Sequence, residues 1–250
     1  VALSNGNYVV VTPYWHDEIN YGAGAVTWGN GNTGVTGIID STNSLIGSSN
    51  PNQDEVGRGG VVALSNGNYV VLSPYWNNAA GEYVGAITLG NGSTGTTGKV
   101  NPANSLVGTT GFDFDFGTKI TPFNNGHYVV STPKWDNGNL VDAGAVTWAN
   151  GNTGITGELD SSKSLVGSTA NDELGIVVKA LSNGNYVVLS PRWDNGAIVN
   201  AGAATWANGT TGITGFVNSS NSLVGSQPDD LIGSGNGGFY DVTALPNGNY

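Results

Sequence analysis

Acidic side chains recur at one position of a repeating sequence and are its best candidates for binding a cation. Hard cations such as calcium take several oxygen ligands, usually including carboxylates. Asp113 and Asp115 are the best placed of these residues for calcium, and we expect no other cofactor. The alternative, favoured because number and spacing vary between copies, is that the carboxylates accept hydrogen bonds in soluble turns. The recurring residues are Asp54-Glu55, Asp113/Asp115, Asp172-Glu173 and Asp229-Asp230.

Tryptophan follows a Pro-x pair at four places, at Trp15, Trp76, Trp135 and Trp193. An exposed indole ring can stack on a sugar ring, so one interpretation is a carbohydrate site that is repeated four times. The other interpretation, which we favour, is that each ring fills the same gap in the core. A second series indicates apolar packing because leucine replaces tryptophan in one copy: Trp28, Leu89, Trp148 and Trp206.

No set of residues in the sequence predicts a reaction. His16 and His127 are the only histidines and occupy different positions of the repeat, whereas zinc sites and Ser-His-Asp triads require convergent partners. Carboxylate pairs of the kind used by glycoside hydrolases can be drawn almost anywhere in the chain and carry no specificity. We therefore predict a protein that is not an enzyme, with no catalytic residue; a hydrolase with a propeller body is the least favoured alternative.

The charge of the chain excludes some partners. Its formal net charge is −11, and it contains only 7 Lys and Arg residues. Binding of DNA or RNA needs clustered basic residues, so we predict no nucleic-acid partner. Docking on an anionic membrane is disfavoured for the same reason, and no apolar run is long enough for insertion into a membrane.

The candidate residues belong to a segment that is repeated four times. Its copies are Leu3–Trp15, Leu64–Trp76, Phe123–Trp135 and Leu181–Trp193, and a fifth begins at Leu245. Their tyrosines, at positions 8, 69, 128, 186 and 250, are 58 to 64 residues apart. A period of this size is typical of repeat architectures. We predict one tandem-repeat body over residues 1–250, with repeats 1 to 4 at 1–60, 61–119, 120–177 and 178–239 and a partial fifth repeat at 240–250.

Short apolar runs within each repeat predict β-strands. In repeat 2 the runs are Val61–Leu64, Tyr69–Ser73, Gly85–Leu89 and an outer run, Gly95–Val100. Asn-Gly pairs between the runs supply the positive φ angles of tight hairpins, and continuous apolar runs suit strands that are covered on both faces. The predicted fold is all-β: a β-propeller of four-stranded antiparallel blades of about 60 residues. A β-solenoid or a fibre-forming repeat array is the alternative.

The order of these motifs resembles the FG-GAP repeat of integrin α-chain propellers and related bacterial surface proteins. Phe116-Gly117 is the literal match to its Phe-Gly pair, and Asp172–Gly175 occupies the same place one repeat later. Val188–Pro191 corresponds to the Gly-Ala-Pro segment, and Ala201–Ala204 to the strand after the loop. The resemblance implies a propeller with an extracellular adhesion or recognition role. The calcium loop of that family does not carry over, because its place, Leu181–Tyr186, contains no carboxylate.

These observations predict a non-enzymatic protein of the cell surface or extracellular space, of bacterial type, that functions in adhesion, recognition or extracellular assembly. Its ligand would be a protein or a glycan surface, bound by the polar loops that follow each Pro-x-Trp, since these differ between copies on a constant scaffold. A lectin that uses the repeated tryptophans is the alternative. The chain begins and ends within a repeat, which predicts that it is part of a longer array. The alternative is self-association by strand addition at its ends, as in a filament.

Overall fold

The computed structural model describes residues 1–16, 21–48, 53–115, 117–235 and 242–250. These residues form strands in four sheets and contain no helix, and hence none long and apolar enough to cross a membrane. The predicted all-β repeat fold is confirmed, whereas the propeller arrangement stays a prediction. Phe116, half of the literal Phe-Gly match, lies outside the described residues. The backbone divides into unit 1, residues 1–116 and 150–159, and unit 2, residues 117–149 and 160–250.

Unit 1 contains two sheets, one for each of its repeats. The first has the strand order β1-β2-β3-β7 and the second the order β12-β8-β6-β5-β4. The strands of unit 1 are β1 (Tyr8–Thr12), β2 (Ala25–Gly29), β3 (Ser44–Ile46), β4 (Gly60–Ala63), β5 (Tyr69–Ser73), β6 (Ala86–Gly90), β7 (Gly98–Lys99), β8 (Ser105–Val107) and β12 (Gly157–Glu158).

Unit 2 repeats this plan. Its two sheets have the strand orders β17-β13-β11-β10-β9 and β14-β15-β16-β18. The strands of unit 2 are β9 (Lys119–Pro122), β10 (Tyr128–Thr132), β11 (Ala145–Ala149), β13 (Ser164–Val166), β14 (Val177–Ala180), β15 (Tyr186–Ser190), β16 (Ala203–Ala207), β17 (Gly215–Phe216) and β18 (Leu223–Val224).

In repeats 2 to 4 the second apolar run lies inside its sheet, whereas in repeat 1 it forms the edge strand β1. In repeat 2, β5 pairs with β4 on one side and with β6 on the other, both antiparallel, and all five of its residues are buried. The Asn66-Gly67 turn joins β4 to β5, with Gly67 at φ +91°, as an Asn-Gly hairpin requires. Burial on both faces explains why this run is continuously apolar rather than alternating.

The fourth predicted run differs from its prediction. In repeat 2 it supplies only the two-residue β7, which leaves its own sheet and pairs in parallel with β3 of repeat 1. The outer antiparallel strand of the repeat 2 sheet is instead β8, which follows that run. Repeat 2 therefore has the predicted four antiparallel strands, β4, β5, β6 and β8. The prediction was wrong in assigning the fourth strand to Gly95–Val100, and the following repeat adds a fifth, parallel strand, β12.

The central tyrosine of each repeat packs under a small residue of the neighbouring strand. Tyr69 pairs with Gly90, and a Cβ added to Gly90 would lie 2.1 Å from the Tyr69 ring. Tyr69 is fully buried, and this burial raises the pKa of its hydroxyl to about 12. Tyr128 and Tyr186 lie under Ala149 and Ala207 in the same register. The repeated core therefore fixes a large residue and a small one at paired positions.

Candidate functional site

The recurring aspartates organise the loops in which they lie. Both carboxylate oxygens of Asp113 accept hydrogen bonds from Thr109 and Thr110: the two backbone N–H groups donate at 2.6 and 2.8 Å, and the two hydroxyls at 3.1 and 2.8 Å. Asp113 is 1% exposed. Asp115 is half-buried two residues further on. Within the described ranges, no three His, Asp or Glu side chains are grouped as a metal ion would need. The geometry of Asp113 is that of a turn acceptor.

The same arrangement recurs at Asp54 and Asp172. Asp54 accepts hydrogen bonds from the backbone N–H of Ser48 at 2.6 Å and from the backbone and side chain of Asn77 at 3.0 and 2.9 Å. Asp172 accepts two backbone N–H groups, from Ser168 and Thr169, at one oxygen. Burial raises the pKa of both aspartates, although these hydrogen bonds act in the opposite direction.

The Pro-x-Trp segment is a tight turn that turns its tryptophan inward. The backbone N–H of each tryptophan donates to the carbonyl three residues earlier, so proline occupies the second turn position and x the third. Trp76, Trp135 and Trp193 are 3 to 5% exposed, and their Nε1–H groups have no hydrogen-bond partner among the described residues. Trp15 is half-buried. This burial favours packing over stacking on sugar, because a ligand would meet little of these three rings.

The x residue of the Pro-x-Trp turn is exposed in repeats 1 and 4 and half-buried in repeats 2 and 3, and its chemistry changes along the chain. It is Tyr14, Tyr75, Lys134 and Arg192 in repeats 1 to 4. Sequence reasoning did not single out these residues, although the turn chemistry contained the signal. Proline presets the backbone of the second turn position, and the third position then forms the outer corner.

In unit 1 the x residues belong to an aromatic surface. The ring of Tyr75 meets that of Tyr83 edge-on, with centroids 5.6 Å apart, and Tyr83 stacks on Phe112 at 6.0 Å. Phe112 is 54% exposed. Tyr14, also exposed, lies under the Arg58 guanidinium, 4.7 Å from its ring centroid. We call Tyr75, Tyr83 and Phe112 the aromatic cluster.

In unit 2 the corresponding positions form an ionic cluster. Lys134 Nζ donates to Asp142 Oδ2 at 2.8 Å and to Glu173 Oε1 at 2.6 Å. Arg192 Nη1 donates to the other oxygen of Glu173, also at 2.6 Å. The Glu173 side chain is 12% exposed, while those of Lys134 and Arg192 are 41% and 50% exposed. The two carboxylates raise the pKa of Lys134. The same scaffold positions thus present aromatic rings in unit 1 and charges in unit 2.

A cleft of about 730 Å³ lies beside the Trp76 loop in unit 1. This volume is within the range of about 300–1,000 Å³ of small-molecule sites. Its lining includes the apolar residues Trp76, Val100 and Val107 and the polar residues Asn101 and Glu158. The remaining lining residues are Ser48, Asn77, Asn78, Ala79, Ala80, Pro102, Gly108 and Thr109.

Each of the two histidines contacts an aromatic ring of its own unit. The His16 ring stacks on Tyr21 with centroids 5.3 Å apart, and the His127 ring meets Trp148 edge-on at 5.1 Å. His16 belongs to unit 1 and His127 to unit 2. Neither contact is that of a catalytic base with a nucleophile.

Fold and surface together define a tandem β-repeat protein in which a constant core carries loops of varying chemistry. The chain belongs to the family described as a repeat of unknown function, DUF5650, which matches residues 2–58, 63–114, 122–176 and 180–234. Comparison with curated proteins found none that matches. The repeat-based β fold implied by the FG-GAP resemblance is thereby supported, whereas membership of the FG-GAP family itself stays a prediction.

Proposed function

We propose that this chain is a non-enzymatic recognition protein of the cell surface or extracellular space, of bacterial type, that binds a protein or glycan surface through the loops after its Pro-x-Trp turns. In this proposal the sheets are the blades of a propeller related to FG-GAP repeats. In this role the chain adheres to that surface or takes part in the assembly of an extracellular structure.

One observation carries the proposal: equivalent loop positions differ in chemistry while the scaffold under them is constant. The turn hydrogen bond of Pro-x-Trp recurs in all four repeats at 3.0 to 3.2 Å. Above it lie the aromatic cluster in unit 1 and the ionic cluster in unit 2. Variation of surface residues on a conserved frame is the usual arrangement of binding loops. Tyrosine and arginine are also the residue types most enriched in the energetic centres of interfaces.

Binding to immobilised probes tests this proposal. The probes are collagen, fibrinogen, cellulose, chitin and mannan, and the readout is the retention of the purified chain. We expect retention on at least one probe. Replacing the aromatic cluster (Tyr75→Ser, Tyr83→Ser, Phe112→Ser) or the cations of the ionic cluster (Lys134→Ser, Arg192→Ser) should abolish it.

The matched control is Phe216→Ser, which removes a ring that is 49% exposed and belongs to strand β17 rather than to a Pro-x-Trp loop. This control should bind like the unchanged chain. Equal loss in the control, or retention on none of the probes, would contradict a role for the loops.

A second candidate is a carbohydrate-binding protein, and the cleft beside Trp76 favours it. Sugars combine apolar C–H faces with many hydroxyls, and the lining of the cleft combines apolar side chains with asparagine and glutamate. The site would differ from the predicted one, because it uses the cleft rather than four exposed indole rings.

Blocking the cleft separates this candidate from the first. Ala80 lines the cleft and is exposed, so Ala80→Trp should fill it while the fold stays intact. Ala197 is the equivalent exposed residue of repeat 4, four positions after Trp193, and Ala197→Trp is the control. Calorimetric titration with cello- and chito-oligosaccharides should show binding that Ala80→Trp abolishes and Ala197→Trp preserves. Identical titrations for the two variants would exclude the cleft.

A further inference from the structure

Asn-Gly pairs are chemically reactive as well as turn-forming. The backbone nitrogen of the glycine can attack the side-chain amide carbon of the asparagine, and glycine hinders this attack least because it has no Cβ. The reaction needs an asparagine side chain that is free to reach this nitrogen, and a glycine N–H that is not already donated. Asn-Gly pairs occur in every repeat, so the hydrogen bonds of the folded chain decide which of them can react.

The Asn-Gly pairs that connect the apolar runs are held by hydrogen bonds at both reacting groups. Asn66 Oδ1 accepts the backbone N–H of Asn68 at 3.1 Å, and the Gly67 N–H donates to the Leu64 carbonyl at 3.2 Å. The asparagine oxygen accepts the N–H two residues on in the other turns between the first and second runs, and in the turns after the third run. Such a pair must break a hydrogen bond before it can react.

Two further pairs lie in the Pro-x-Trp loops of unit 2, at Asn137-Gly138 and Asn195-Gly196. Each is part of a tight hairpin that is closed by two backbone hydrogen bonds, of 3.0 and 3.1 Å, between the asparagine and the residue three positions later. Both glycines are exposed and have a φ of +63°. Of the hydrogen bonds formed by the described residues, none has the N–H of either glycine as its donor. The two hairpins therefore offer the same free nucleophile.

The two hairpins differ in how they hold the asparagine side chain. Asn195 Nδ2 donates to the Gly225 carbonyl at 3.1 Å, whereas the Asn137 amide has no hydrogen-bond partner within the described ranges. Both asparagines are half-buried, and both follow an aspartate. Asn137 is thus the asparagine whose amide and following N–H are both free among the Asn-Gly pairs that the structure describes.

We propose that Asn137 is a site of spontaneous modification, at which the folded chain forms a succinimide ring with Gly138 and then aspartate or isoaspartate. The Gly138 nitrogen bonds to Asn137 Cγ and loses its proton, while the Cγ–Nδ2 bond breaks and Nδ2 leaves with a proton as ammonia. Water then opens the ring. Attack at Cγ gives aspartate, and attack at the backbone carbonyl carbon gives isoaspartate, so no oxidant or reductant is needed.

Either product changes the loop that follows the Pro-x-Trp turn of repeat 3. It adds a negative charge directly after Asp136, and isoaspartate also adds a methylene to the main chain inside the hairpin that Asn137 closes with Leu140. The chain therefore becomes heterogeneous at this loop while the equivalent loop of repeat 4 stays intact. The reaction belongs to the chain itself and does not depend on the proposed function.

Incubation of the folded chain at mildly alkaline pH, followed by proteolysis and peptide mapping by mass spectrometry, tests the proposal. Deamidation at Asn137 should be about fivefold faster than at Asn195, because Asn195 must first break its hydrogen bond. Isoaspartate should appear among the products at Asn137, since direct hydrolysis of the amide gives aspartate alone. In urea, where these hydrogen bonds are lost, Asn137 and Asn195 should react at similar rates.

Two variants complete the test. Asn137→Gln lengthens the side chain and makes ring closure onto Gly138 slow, so it should lose the fast reaction while Asn195 keeps its rate. Asn195→Gln is the matched control and should leave the rate at Asn137 unchanged. Equal rates at Asn137 and Asn195 in the folded chain, products without isoaspartate, or a fast reaction that persists in Asn137→Gln would overturn the proposal.

Discussion

Ser164 and Thr147 share a buried hydrogen bond, with 2.6 Å between their hydroxyl oxygens. It links the last strand of the repeat to the third apolar run, and it recurs in the other repeats at 2.6 to 2.7 Å. In those repeats the serine also donates to the preceding asparagine, whereas Lys163 precedes Ser164. The equivalent pairs are Thr27–Ser44, Thr88–Ser105 and Thr205–Ser222.

Because Lys163 stands where the other repeats have asparagine, replacing the threonine by valine should reduce stability more in repeat 3 than in repeat 2. Thr147→Val removes the hydrogen bond to the fully buried Ser164 hydroxyl, which has no preceding asparagine to bond instead. We expect the free energy of unfolding to fall by about 1–3 kcal/mol. Thr88→Val is the matched control, because Ser105 keeps its bond to the Asn104 side chain at 2.8 Å. Urea unfolding should show the larger loss for Thr147→Val. Equal losses would mean that the asparagine contributes nothing.

Asp172→Asn should destabilise unit 2 even though the side chain keeps its shape. One Asp172 oxygen accepts the Ser168 and Thr169 N–H groups, and the other accepts the Asp194 N–H. In the asparagine variant one of these oxygens is replaced by an NH₂ group, which then faces a donor. We expect a loss of about 1–3 kcal/mol at neutral pH, measured by urea unfolding. The exposed Asp229→Asn should change stability by less than about 0.5 kcal/mol. A neutral Asp172→Asn would show that its loop is held by other contacts.

The same aspartate predicts a pH dependence of stability. Burial raises the pKa of Asp172 above its ordinary value of 3.8, so near that pH the folded chain holds a proton that the unfolded chain has lost. Its contribution to the free energy of unfolding therefore falls as pH rises from about 3.8 through the raised pKa, and is constant above it. Because an asparagine side chain does not titrate, the stability difference between wild type and Asp172→Asn should shrink as pH rises through this window. A difference that grows would mean that hydrogen bonding outweighs burial.

Local sequence signals predicted the central strands and failed for the outermost one. The run Tyr69–Ser73 is a strand with the predicted bounds, because a continuous apolar run between an Asn-Gly turn and a proline leaves few alternatives. The run Gly95–Val100 contains only the two-residue β7, which has no periodicity to read. Its partner, β3, lies about fifty residues earlier, and no local pattern specifies that distance.

The candidate site residues also divide into those that the sequence identified and those that it did not. Repetition identified Trp76 and Asp113, and both lie where repeated packing and turns need them. The residues that make the loop surfaces different, such as Tyr75 and Lys134, carry no repeated signal because they vary. Only the position of x after a turn proline indicated their exposure.

Trp148 and Trp206 occupy equivalent positions and should respond differently to replacement by leucine. Trp148 donates to the Gly209 carbonyl and lies against Gly212, so Trp148→Leu should cost about 1–2 kcal/mol of stability through the lost hydrogen bond and contact area. Trp206 is 43% exposed, and Trp206→Leu should cost less than about 0.5 kcal/mol in dilute solution. Thermal unfolding of both variants provides the comparison. A similar loss in each would show that the contacts of Trp148 with Gly209 and Gly212 add little.

Glu173 lies between two cations, and its neutralisation should reveal how much the ionic cluster stabilises unit 2. Glu173→Gln removes the partner of Arg192 and one of the two carboxylates that bind Lys134. Because both cations are at least 41% exposed, the expected loss is at most about 1 kcal/mol at low salt and smaller at high salt, where exposed charges are screened. Asp229→Asn removes one negative charge at an exposed position of unit 2 and is the control. Urea midpoints at low and high salt should converge for wild type and Glu173→Gln, while the control shows no such change. A loss independent of salt would assign the role of Glu173 to hydrogen bonding rather than to charge.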